Sequence, residues 1–207
     1  MKEDILEQIV EDYYISQPGW FVKHNVKYKP NENRSDYEPK TDSVHSDIDI
    51  IAINPNKIGI ERVNVVSCKS WQEGFTIENA IKWIQTEKGR NWKKFRELVS
   101  PKWIESFLNT IEKETGQRNF TYIIAVTKLQ DKQVGEQLKG INNIVRERLG
   151  NEGADVEVEI LTLSKIIEDI ARRLNETENN PVETTDVGRT LQLMKTIGFL
   201  TKGVPLE

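Results

Sequence analysis

The residues best suited to chemistry lie on two neighbouring apolar runs. The first reads Ser46-Asp47-Ile48-Asp49-Ile50-Ile51-Ala52-Ile53, and the second Val63-Asn64-Val65-Val66-Ser67-Cys68-Lys69-Ser70-Trp71. Both are rich in the β-branched residues that suit strands, and the turn-forming stretch Asn54-Pro55-Asn56-Lys57 lies between them. Strand alternation puts Asp47 and Asp49 on one face of the first run, and Ser67 and Lys69 on one face of the second. Paired as an antiparallel hairpin, the two runs would bring carboxylates and an ammonium together at one end of a sheet. That geometry can hold a hard divalent cation and polarise a phosphate. A plain cross-strand Asp–Lys ion pair would use the same residues.

Other familiar chemistries are not written in the chain. It has no Gly-x-Ser-x-Gly, no Walker loop and no Gly-x-Gly-x-x-Gly after a strand. His24 and His45 are too far apart in sequence to form a zinc-like pair. Cys68 reads as a strand residue, because a catalytic thiolate needs an electropositive partner. A second concentration of functional types runs from Trp71 to Trp103. It holds Trp71, Trp83, Trp92 and Trp103. Between Lys82 and Lys102, seven basic residues (Lys82, Lys88, Arg90, Lys93, Lys94, Arg96 and Lys102) face two acids, Glu87 and Glu97. A local basic face of this kind can hold a phosphate backbone, or it can be a solvated helix face. Trp92 and Trp103 are expected in the core.

The elements that must position these residues follow from periodicity. Ile5, Leu6, Ile9, Val10 and Tyr13 predict a helix from Ile5 to about Ser16, stopped by Pro18-Gly19. Trp20 to Lys29 alternates as a strand, with a slip of phase near His24. Pro30 to Val44 is polar and reads as a loop, long enough to be functional or mobile. Ile77, Ala80, Ile81 and Ile84 mark a helix beginning at Thr76, and Trp92, Phe95 and Val99 mark a second stripe. Ser100-Pro101 opens a further helix, with Ser100 as N-cap, that ends at Gly116. Phe120 to Val126 is an apolar run expected of a central strand covered on both faces. A helix over Asp131–Leu149, a strand over Val156–Leu161, a helix capped by Thr162 or Ser164, a polar linker over Asn175–Thr185 and a final helix over Asp186–Leu200 complete the order. Crossovers between strands imply an α/β fold, a mixed sheet with helices on both faces.

Composition sets the outer bounds. The chain has 207 residues, 37% of them hydrophobic and 30% charged, with a formal net charge of −4. This excludes a generally basic nucleic-acid binder and leaves room for a local basic patch. No apolar run approaches the ~20 residues a bilayer requires. A lone cysteine and an N-terminus without an apolar signal segment favour a reducing, cytoplasmic setting.

The pattern Ser-Asp-Ile-Asp-Ile-Ile-Ala, a turn, then Val-Asn-Val-Val-Ser-Cys-Lys-Ser-Trp resembles the PD-(D/E)xK nuclease superfamily. It is most similar to Mrr-like restriction endonucleases and Holliday-junction resolvase-type domains. The resemblance spans about Leu6 to Val126 and is specific at the hairpin. It implies a restriction-endonuclease-like core in the order helix, three strands, helix, strand. Residues 1–175 would form that domain, and residues 176–207 a linker and helical extension. The implied activity is Mg²⁺- or Mn²⁺-dependent hydrolysis of phosphodiester bonds in DNA, with RNA left open as substrate and a homodimer as an arrangement. Carried over position by position, Asp49 is the metal-binding acid, Lys69 the catalytic lysine, and Cys68 the residue whose backbone carbonyl binds metal. Glu7, in Leu6-Glu7-Gln8-Ile9-Val10, matches a glutamate of the family's first helix. The chain departs from the family at Ser67, where an acid is commonest and a glutamine is frequent in Mrr-like proteins. Either Glu7 or Asp47 then supplies the missing charge, or the fold serves as a DNA- or protein-binding module without cleavage. Lys82, Lys88, Arg90, Lys93, Lys94 and Arg96 would contact nucleic acid.

Overall fold

The computed structural model describes residues 5–86, 90–131, 134–176 and 185–198. One mixed five-stranded sheet runs in the order β1-β2-β3-β4-β5: Phe21–Tyr28, Ser46–Ile53, Val63–Lys69, Phe120–Val126 and Val156–Thr162. The first three strands pair antiparallel and the last two join in parallel. Parallel pairing demands crossovers, and helices supply them. On one face lie α3 (Ile77–Gln85), the 3₁₀ segment Asn91–Leu98, α4 (Pro101–Thr115) and α5 (Val134–Gly150), packed around Val63, Val65, Tyr122 and Ile124. On the other lie α1 (Ile5–Ile15), α6 (Leu163–Glu176) and α7 (Asp186–Thr196), packed on Ile50, Ala52, Val66, Ile123 and Ala125. Every residue of β4 is buried, as an apolar run between two helical layers should be. No described helix is long and apolar enough to cross a membrane.

Local chemistry explains the boundaries. Gly116 ends α4 at φ 76°, a left-handed position that lets its N–H reach the Glu112 carbonyl at 2.8 Å. Ser100 precedes Pro101 as expected but makes no side-chain cap; its carbonyl instead accepts from Trp103 and Ile104. Thr162 Oγ1 accepts from the Lys165 N–H at 3.3 Å at the start of α6. The slip of phase near His24 has a backbone cause: Asn25 takes φ 53°. Val22 therefore packs toward α1 and α6, whereas Val26 and Tyr28 join the opposite core.

One expectation changes in kind. The stretch Pro30–Val44 contains a short helix, α2 (Pro39–Asp42), and is bound to α4 along its length. Lys102 pairs with the buried Asp42 at 2.6 Å and donates to the Asp36 carbonyl at 2.9 Å, while Arg34 pairs with Glu105. The final helix docks: Leu191 is buried against α1 and α6, and Asp12 Oδ2 accepts from the Val187 N–H at 2.9 Å. Most of the linker expected at Asn175–Thr185, and the end of the helix expected to reach Leu200, lie outside the described residues.

Candidate active site

The β2–β3 ladder stops at the pair Ile50–Val66, while β3 continues beside β4 to Lys69–Val126. Beyond that point the two antiparallel strands separate. Asp49 occupies the gap, and its Oδ2 accepts from the Cys68 N–H at 2.6 Å. A side chain thus takes a donor that a continued ladder would have used. Asp47, Asp49 and Ser67 line the resulting recess together with Tyr28, Glu97 and Tyr122. It leaves about 10 Å³ for the centre of a water-sized sphere, roughly one water's requirement.

Two side-chain hydrogen bonds lie along this recess. Lys69 Nζ donates to Ser67 Oγ at 2.7 Å. The Tyr122 hydroxyl donates to Glu97 Oε1 at 2.7 Å. The ammonium of Lys69 also sits over Phe95, with Nζ 5.1 Å from the ring centroid. Burial pushes the Tyr122 hydroxyl well above its ordinary pKa, and the neighbouring Glu97 pushes it further.

Burial also dominates at Asp49, raising its pKa to about 6. Lys69 and the Cys68 N–H pull the value down, and the negative charges of Glu97 and Asp47 push it up. Desolvation and specific charged neighbours inside a recess make Asp49 a candidate functional carboxylate.

Glu97 is the residue that sequence reasoning missed. It lay in a basic tract and counted there as a minority charge. Phe95, at φ −139° and ψ 34°, breaks the 3₁₀ segment. The break leaves Lys94 exposed and turns Glu97 inward, where it is 7% exposed. Arg148 of α5 fixes this segment by donating to the carbonyls of Ile84 and Leu98, both at 2.7 Å.

The remaining expected residues fall elsewhere. Glu7 lines a separate recess with Gln8, Glu11, His24, Asn25 and Ile50, so the structure does not bring it into the Asp49 recess. Glu11 Oε1 lies 3.1 Å from His24 Nδ1 there. Asp47 is exposed at the mouth of the Asp49 recess, and Cys68 presents its side chain toward the core beneath α1 and α6. Among the described residues, no three His, Cys, Asp or Glu side chains are grouped to hold a metal ion. The basic tract is not one continuous free stripe. Lys82 pairs with Glu78 at 2.8 Å. Lys94 Nζ lies 4.5 Å and 4.9 Å from the Trp71 and Trp83 ring centroids, and the Arg96 guanidinium lies 4.6 Å from that of Trp103. Arg90 and Lys93 are exposed, and Lys88 lies outside the described residues. Trp103 is buried and Trp92 packs against the core, as expected.

No protein-family model matches this chain, and no curated protein and no solved structure matches it either.

Proposed function

We propose that this chain has the restriction-endonuclease-like fold and is a metal-dependent nuclease that hydrolyses phosphodiester bonds in DNA. The observation that carries the reading is the meeting of Asp49, Glu97 and the Lys69–Ser67 pair around one recess where β2 and β3 part. Glu97 takes the place of the acid that Ser67 lacks. Two carboxylates fit Mg²⁺, which binds through one or two carboxylates and keeps several waters. Asp49 and Glu97 would hold it, with the Cys68 carbonyl as a third oxygen and Asp47 at the mouth. When bound, such a metal lowers the pKa of water and neutralises phosphate charge.

The chain's own residues supply the rest. Asp49 is ionised above about pH 6 and so presents its charge at neutral pH. Ser67 fixes the Lys69 ammonium through a 2.7 Å bond, ready to donate to a phosphate oxygen as charge builds there. Exposed Arg90 and Lys93 would hold flanking phosphates without reading bases.

The test is incubation of the pure protein with plasmid, single-stranded DNA and tRNA, each with Mg²⁺, with Mn²⁺ and with chelator. Metal-dependent cleavage of DNA that disappears in Asp49→Ala and Lys69→Ala, both with native circular dichroism, is the expected result. Binding without cleavage in every metal would mark a module that keeps the fold and lacks the chemistry. Cleavage of tRNA alone would reassign the substrate.

A further inference from the structure

A groove of about 690 Å³ is lined by Trp83, whose ring centroid lies 6.5 Å from that of Phe95. That volume lies within the roughly 300–1,000 Å³ common for ligand sites. Trp71, Trp83, Lys94, Asn79, Asn91 and Gln130 dominate its wall, and Glu73 is the one acid among the described residues lining it. Trp71 and Trp83 meet edge to face at 5.6 Å, and each is half-buried, so part of each indole reaches the groove. The Lys94 ammonium sits over both rings. Asn79 and Asn91 are exposed, and each amide offers two donors and an acceptor.

Three chemistries therefore share one concave surface: aromatic faces, amides and a cation held against the aromatics by a weak, reversible attraction. An unpaired nucleotide displays their complements in a flat base, a donor–acceptor edge and a phosphate. In a duplex the base faces are already stacked and are closed to an indole. A neutral sugar would stack but would leave Lys94 without a role. The groove is also wired to the recess. Trp71 follows Lys69 by two residues, and Asn91 and Lys94 belong to the same 3₁₀ segment as Glu97. The Phe95 ring centroid lies 5.1 Å from Lys69 Nζ and 6.5 Å from the Trp83 ring centroid.

We propose that this groove binds an unpaired nucleotide of a nucleic-acid strand, with its base stacked on the Trp71–Trp83 pair and its phosphate taking Lys94 from the ring faces. The proposal rests on the nuclease reading and narrows its substrate to single strands or locally unpaired sites. Base–aromatic stacking is sequence-tolerant and worth about tenfold in affinity or more per base.

The experiment titrates the full chain, in chelator, with a thymidine octamer, an abasic octamer of equal charge, and a blunt duplex of equal length. Tryptophan emission and the anisotropy of end-labelled strands are the readouts. Quenching by the thymidine strand is expected, with the abasic strand and the duplex binding about tenfold more weakly or less. Trp71→Leu should weaken the thymidine strand about tenfold and leave the abasic strand unchanged. Lys94→Gln should weaken both and reduce the slope of log K against log salt by about 0.7. Equal binding of thymidine and abasic strands, no binding of the thymidine strand, or unchanged affinity in a folded Trp71→Leu would each overturn the proposal. Should Trp71→Leu fail to fold, the thymidine–abasic comparison on the wild type decides. Because binding is read without metal, a protein that binds the thymidine strand and cuts nothing refutes the nuclease reading alone. One that cuts duplex and ignores the thymidine strand refutes the groove alone.

Discussion

Asp42 on α2 and Asp49 on β2 both lose water on folding, and burial is the largest single influence on each. Asp42 is compensated in full. Lys102 lies 2.6 Å from its Oδ2, the Glu38 N–H donates to the same oxygen at 2.8 Å, and the Thr41 hydroxyl donates to Oδ1 at 3.2 Å. These partners outweigh burial and hold its pKa below the ordinary carboxylate value. Asp49 receives the Cys68 N–H, but the ammonium nearest it is bonded to Ser67, and Glu97 and Asp47 add repulsion. Its pKa goes up to about 6. Two aspartates that both lose water on folding thus become a clamp in one place and an undersatisfied charge in the other. A clamp stabilises the fold; an undersatisfied carboxylate facing a second acid invites a cation and lowers stability to do so.

The contrast can be broken most severely at the recess. Asp49→Ala or Lys69→Ala should reduce cleavage by about 10³-fold, the scale of losing one charge-stabilising group, with circular dichroism unchanged. Activity retained in a folded variant would make the recess no different in kind from the clamp. The next effect in size belongs to the clamp. Lys102→Met leaves Asp42 buried beside an apolar side chain and should cost about 3 kcal/mol, read by urea unfolding at pH 7. Because the folded pKa of Asp42 is lowered, the stabilisation it brings is present above the unfolded value of 3.8 and is lost as pH falls through the folded value. The deficit of Lys102→Met should therefore shrink below about pH 4.

Asp49 has the opposite sign. Its folded pKa of about 6 exceeds the unfolded 3.8, so its penalty is absent below pH 3.8, grows up to about pH 6 and is complete above it. Asp49→Asn keeps an acceptor for the Cys68 N–H and should stabilise the fold by about 2 kcal/mol at pH 8 and by nothing at pH 3.5. A variant that is less stable than wild type at pH 8 would place Asp49 with Asp42 as a structural acid. The smallest effect should come from the exposed Lys82–Glu78 pair. Lys82→Ala should change stability by less than about 0.5 kcal/mol, which sets the scale of an ordinary surface charge.

The clamp and the recess were unequally legible in the sequence. Strand parity put Asp47 and Asp49 on one face of the first strand and Ser67 and Lys69 on one face of the second, because a two-residue period survives any packing above it, and the antiparallel pairing then brought the two sets together. The buried run Phe120–Val126 and the stop at Gly116 were legible for the same local reason. Glu97 was not, since its inward turn depends on the backbone break at Phe95 and on Arg148, which is distant in sequence. Glu7 matched by residue pattern, yet α1 carries it to another recess, and helix periodicity says nothing about which sheet edge a helix crosses. The order in Pro30–Val44 was hidden because its partners, Lys102 and Glu105, lie sixty or more residues further along. Polar composition marks a segment without repeating structure, but not the long-range ion pairs that hold it.

The central claim is that Glu97, and not Glu7, completes the acid pair with Asp49. Its most direct test compares Glu97→Gln with Glu7→Gln in Mg²⁺-dependent plasmid cleavage at pH 8. Glutamine at position 97 can still accept from the Tyr122 hydroxyl, so the fold should hold. The expected result is a loss of about 10²-fold or more in Glu97→Gln and near wild-type cleavage in Glu7→Gln. Wild-type rates in Glu97→Gln, or an equal loss in the two variants, would contradict it.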